Sequence, residues 1–82
     1  MTTLQRTRRF VARRFEVDEN EIKAESTLES LGIDSLATME LIFDIEDEFG
    51  IRMPQDHGRL ATLGDLVLLL DRELARQRPV AA

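Results

Sequence analysis

Leu31-Gly32-Ile33-Asp34-Ser35-Leu36-Ala37-Thr38-Met39-Glu40-Leu41 sets one serine at the mouth of a helix that is acidic and apolar on the same face. Asp34 suits the N-cap, because a carboxylate there accepts N–H groups that the first turn leaves without partners. That leaves the Ser35 hydroxyl free to be modified, and Gly32 permits the tight turn that exposes it. A helix N-terminus carries partial positive charge, so a phosphate attached at Ser35 is stabilised. The plainer reading is that an Asp-Ser pair before an apolar helix is a cap and nothing more.

The helix that starts at Asp34 or Ser35 is expected to end at Phe49, with Gly50 as its C-cap. Advancing about 100° per residue, Thr38, Leu41, Ile42, Ile45 and Phe49 fall on one stripe, which reads as core. Leu36, Met39 and Phe43 fall elsewhere, in the sector of Glu40, Glu46 and Asp47. An apolar patch rimmed by carboxylates fits a docking surface, with apolar contact supplying affinity and charge supplying register and on-rate. The competing reading wedges the helix between two neighbours so that both stripes are core; for Phe43 the two readings weigh equally.

Working outward, helical periodicity dominates and no run alternates as a strand does. A first helix is expected from about Thr3 to Phe15, opened by the capping-box pair Thr2 and Gln5. Leu4, Val11 and Phe15 line one side of it, with Arg6, Arg9 and Arg13 opposite. Glu16 to Leu31 is too polar and irregular for a continuous helix, though Ser26 and Glu29 suit a short capped turn. Pro54 and Gly58 confine a further helix to a short piece, Gln55 to Leu60. The last helix starts near Thr62, with Asp65 at capping-box spacing, and ends before Pro79. Its buried stripe is Leu63, Leu66, Val67, Leu70 and Leu74, and Arg78 to Ala82 form a frayed tail. The fold class is all-α: three main helices, one short helix and a long first loop.

Eighty-two residues make a single domain, with its core over about residues 3–77. There is no cysteine, which excludes disulfides, a thiolate nucleophile and sulfur-ligated metal and fits a cytoplasmic setting. Four Phe without Trp or Tyr make base-stacking platforms improbable. No apolar run is long enough to span a membrane. Charge is segregated: residues 1–14 hold five Arg and no acid, whereas residues 15–58 hold thirteen acids against Lys23 and Arg52. So acidic a middle repels nucleic acid and anionic lipid and attracts basic protein surfaces.

These residues resemble the acyl carrier protein family. Its motif, Asp-Ser-Leu preceded by Leu-Gly-x, stands here as Leu31-Gly32-Ile33-Asp34-Ser35-Leu36. The match continues through Met39-Glu40-Leu41 and Ile45-Glu46-Asp47-Glu48-Phe49 to Pro54, and resumes at Thr62-Leu63-Gly64-Asp65-Leu66. The resemblance implies a small acyl-carrier-like bundle in which Ser35, between Asp34 and Leu36, carries covalent 4′-phosphopantetheine. A phosphopantetheinyl transferase would install that arm from coenzyme A, and its thiol would hold acyl or ketide groups as thioesters. It further implies that Glu40, Glu46 and Asp47 meet basic residues of acyl-loading and acyl-processing enzymes, with Leu36, Met39 and Phe43 as the apolar contacts around the arm. The expected state is a free-standing cytoplasmic monomer with no nucleic-acid partner and no stable membrane insertion. Three departures stand out: Ala37 in place of an acid common in fatty-acid carriers, a segment one residue shorter between Pro54 and Thr62, and the arginine-rich first helix. Together they point to a polyketide or other specialised acyl pathway rather than the common fatty-acid one.

Two rivals follow from other residues. An enzyme would need Ser35 as nucleophile and His57, the sole histidine, as base, yet Gly-x-Ser-x-Gly is absent. No catalytic residue and no metal site is expected. The other rival is an interaction or targeting module that uses the basic first helix or the acidic second, with Ser35 only a cap. The ordinary account of the arginines is a solvated face that pairs with the chain's own acids.

Overall fold

Thr2 opens the first helix, α1 (Thr3–Phe15), through the expected capping box: its side chain accepts from the Gln5 N–H while the Gln5 side chain accepts from the Thr2 N–H. Arg13 and Arg14 in its last turn favour the negative end of the helix dipole. It stops at Glu16, held at φ 55° in the left-handed region that non-glycine residues seldom adopt. The amide of Val17 closes the turn by donating to the Ala12 carbonyl. The computed structural model describes residues 2–54 and 60–77. Of the short helix expected over Gln55 to Leu60, all but Leu60 lies outside those residues, as do His57 and the tail from Arg78; Leu60 itself is not helical.

The long loop is neither strand nor continuous helix. It contains two 3-10 turns, Glu19–Glu21 and Glu29–Leu31. Asp18 caps the first by accepting from the Asn20 N–H. The expected Ser26–Glu29 cap does not form: Ser26 accepts from the Lys23 N–H, and Thr27 accepts from the Ser30 N–H at the second turn. The polar loop stays ordered because its backbone is paired with the start of α3 (Leu63–Gln77). Leu28 N–H donates to the Ala61 carbonyl, Leu63 N–H to that of Ser26, and Gly64 N–H to that of Ala24 at 2.7 Å. An isolated antiparallel bridge joins Thr27 and Thr62. At Gly64 a β-carbon would meet the Ala24 carbonyl oxygen at 3.0 Å, so any larger residue there presses on the loop backbone that the Gly64 N–H holds.

Between loop and α3 runs α2 (Ser35–Phe49), capped by Asp34 and ended by Gly50 in the left-handed conformation. The reciprocal Thr62–Asp65 cap opens α3. One core joins all four parts: Val11 from α1, Ile22 from the loop, Leu41 and Ile45 from α2, and Leu63, Leu66 and Leu70 from α3 are fully buried. Leu4, Phe15, Val67 and Leu74 pack against it half-buried. Two buried polar residues escape the pattern. Thr7 turns its hydroxyl to the Thr3 carbonyl. Glu73 is held by the Gln77 amide, which also bonds the Arg52 carbonyl.

Candidate functional site

Gly32 adopts φ 79°, and this left-handed step turns the chain out of the 3-10 turn toward α2. Leu28 and Ile33, both buried, pin the approach from either side of it. Asp34 Oδ1 accepts from the Ala37 N–H at 2.8 Å, and the Asp34 carbonyl takes the Thr38 amide and hydroxyl. Asp34 alone is therefore the cap. Ser35 is the first helical residue and is exposed, its hydroxyl not spent on capping. The N–H groups of Ser35 and Leu36 have no acceptor within the helix, which makes this end a seat for an anion.

Beside Ser35 opens a groove of about 620 Å³, floored by Leu28, Ile33 and Ile42 and rimmed by Thr27, Thr38, Met39, Leu60 and Ala61. Thr27 and Ala61 reach it only through the pairing of loop and α3, a contact across more than thirty positions for which the sequence holds no local signal. A second groove of about 490 Å³ continues along α2 between Met39, Phe43, Glu46 and the chain at Arg52–Pro54.

The apolar residues expected to face a partner are in solvent: Leu36 is 68 % exposed, Met39 57 % and Phe43 60 %. The reading of Phe43 as core is overturned, because α1 and α3 leave that side of α2 uncovered. Thr38, Leu41, Ile42, Ile45 and Phe49 form the inner stripe, with Leu41, Ile42 and Ile45 buried.

The carboxylates around this patch differ in what they already hold. Glu46 Oε2 accepts from the Met53 N–H at 2.8 Å, tying the chain after α2 back onto the helix. Arg14 donates from Nε to Asp44 at 2.7 Å and lies 3.6 Å from Glu40. The Asp44 hydrogen bond, then its charge, with a further push from Glu40, raises the Arg14 pKa above its ordinary value. Asp47 is exposed and, among the described residues, pairs with no cation. Periodicity groups Glu40, Glu46 and Asp47 as one face, and the pairing expected between α1 arginines and the chain's own acids forms at Arg14, with Asp44 as its nearer partner.

Three of the other four α1 arginines are also engaged internally. Arg8 donates to the Glu19 carbonyl, Arg9 lies 3.8 Å from the Glu19 carboxylate, and Arg6 sits 4.2 Å over the Phe49 ring. Among the described residues no group of His, Cys, Asp and Glu is placed to hold a metal, and no helix is long and apolar enough to cross a membrane.

Residues 5–70 match the family described as "Phosphopantetheine attachment site". Among solved structures the chain is similar to one described as "Mupirocin didomain ACP", with a TM-score of 0.76 at 20% identity. That alignment covers 98% of this chain and 44% of the other, so the chain spans less than half of the length it matches. At such identity the likeness is one of fold, and it shows the acyl-carrier bundle.

Proposed function

Because the chain belongs to the phosphopantetheine-attachment family, a family of carriers rather than enzymes, we propose that Ser35 is the residue that bears its 4′-phosphopantetheine. The observation that carries this reading is the division of labour at the start of α2: Asp34 takes the cap, and the Ser35 hydroxyl is left exposed at a helix N-terminus. The residues present fit the group. Unpaired N–H groups suit its phosphodiester, and the groove floored by Leu28, Ile33 and Ile42 offers apolar wall beside it. When bound, the arm supplies a terminal thiol on which acyl or ketide groups ride as thioesters, chemistry that a chain without cysteine lacks.

The chain's own residues orient and present. Asp34 and Gly32 hold the serine outward, while Leu36, Met39 and Phe43 give a transferase or acyl-processing enzyme an apolar footing. Asp47, exposed, and Glu40 and Glu46, each holding an internal partner, draw a basic partner surface toward that footing. Ala37, the short Pro54–Thr62 segment and the basic α1 support service in a polyketide or related specialised pathway rather than the common fatty-acid one.

The test is intact mass after incubation with coenzyme A and a broad-specificity phosphopantetheinyl transferase. One added phosphopantetheine on the wild type and none on Ser35→Ala is expected. Addition to Ser35→Ala, or to neither protein, overturns the assignment.

A further inference from the structure

The patch on α2 has carboxylates on two sides, and the two sides are electrostatically unequal. Toward the C-terminal end, Asp47 stands exposed with no cation beside it among the described residues. Toward the middle, Glu40 and Asp44 share a cation that the chain supplies itself, from the last turn of α1. Glu40 and Asp44 are one turn apart, and Glu40 is the neighbour of exposed Met39 and one turn from Leu36 and Phe43. Arg14 therefore occupies the position that a docking partner's own basic side chain would need in order to pair beside the apolar footing.

We propose that Arg14 is a built-in competitor for the partner's cation, so that Asp47 is met first and Glu40 and Asp44 are engaged only by a basic surface that displaces Arg14. The inference rests on the docking reading of α2 and makes Arg14 a determinant of partner choice. Several features make displacement cheap. The Arg14 side chain is 40 % exposed and those of Glu40 and Asp44 are 53 % and 38 % exposed, so none is stranded in a dry interior when the pair opens. The paired guanidinium already lies 5.2 Å from the centroid of the Phe15 ring, a contact within its own helix that does not depend on Glu40 or Asp44. A partner with a single weak charge then binds at the Asp47 end, whereas one carrying an arginine cluster engages the whole face.

A hexa-arginine peptide is the probe, titrated into the unmodified chain while side-chain carboxyl ¹³C signals and the Arg14 Nε–H signal are followed. In the wild type Asp47 is expected to respond at lower peptide concentration than Glu40 and Asp44, with the Arg14 Nε–H signal moving as those two respond. In Arg14→Gln the midpoint at Glu40 and Asp44 falls by about two- to fivefold, the strength typical of exposed ion pairs, while that of Asp47 stays. Arg14→Lys, which keeps a charge, moves back toward the wild type. Equal midpoints at Glu40 and Asp44 in wild type and Arg14→Gln sink the proposal, as does an Arg14 signal that stays still in the wild type while those carboxylates titrate. If Asp47 is silent too, the docking reading of α2 itself falls. Arm attachment at Ser35 is decided separately, by mass.

Discussion

Helices α2 and α3 have the same length, fifteen residues each, and obey different rules. In α3 most preferences agree, with exposed Leu68 and buried Glu73 as the exceptions: Leu63, Leu66 and Leu70 go inward, Asp65 lies in the first turn and Arg76 in the last, where the helix dipole favours them. In α2 the preferences conflict. Leu36, Met39 and Phe43 face water, and Glu46, Asp47 and Glu48 crowd the C-terminal end, where the dipole opposes negative charge and the last turn of the helix holds no basic residue. Natural chains break local rules mainly where function requires it. The contrast therefore separates a helix that builds the domain from one that also serves a visitor.

The comparison can be broken most severely from the α3 side. Leu66→Ala is expected to cost about 2–5 kcal/mol, because a fully buried leucine leaves a cavity at the meeting of all three helices. Urea unfolding followed by circular dichroism checks it, and a loss under 1 kcal/mol would show that α3 is not the builder described here. Next comes the end of α2 that both roles share. Asp34→Ala removes the acceptor of the Ala37 N–H and is expected to cost about 0.5–2 kcal/mol in the same assay. Smallest in stability is Phe43→Ala, expected within about 0.5 kcal/mol of wild type because the ring is mostly in water. The same substitution should lower kcat/KM for arm transfer by a phosphopantetheinyl transferase, chiefly through KM. A large stability loss with unchanged transfer would return Phe43 to the core and erase the contrast.

What could be read from the chain, and what could not, divides by range. The caps at Thr2 with Gln5, Asp34, Gly50 and Thr62 with Asp65 depend on residues three or four apart, and the helix bounds followed from them. The exposure of Leu36 and Met39 was legible as well, since periodicity left them off the stripe of Leu41 and Ile45. The contacts that escaped join distant segments. Arg14 and Asp44 are thirty positions apart, and no local pattern distinguishes Arg14 from the four other arginines of α1. Glu73 reads as a surface residue of α3 yet is buried, because Gln77 and the chain at Arg52 close over it. Ser26 failed as a cap for a local reason: its hydroxyl accepts from the Lys23 N–H, three residues before it, and not from the Glu29 N–H, three residues after it.

The Gln77 amide does the work of a peptide group. Its oxygen accepts from the Arg52 N–H at 2.8 Å and its nitrogen donates to the Arg52 carbonyl at 2.6 Å, pinning the chain that borders the second groove. Gln77 lies seven residues past the end of the family match at position 70. Anyone transplanting this unit into another polypeptide by that boundary would cut away the anchor while keeping the segment it anchors. A graft that preserves the α2 surface has its junction after residue 77.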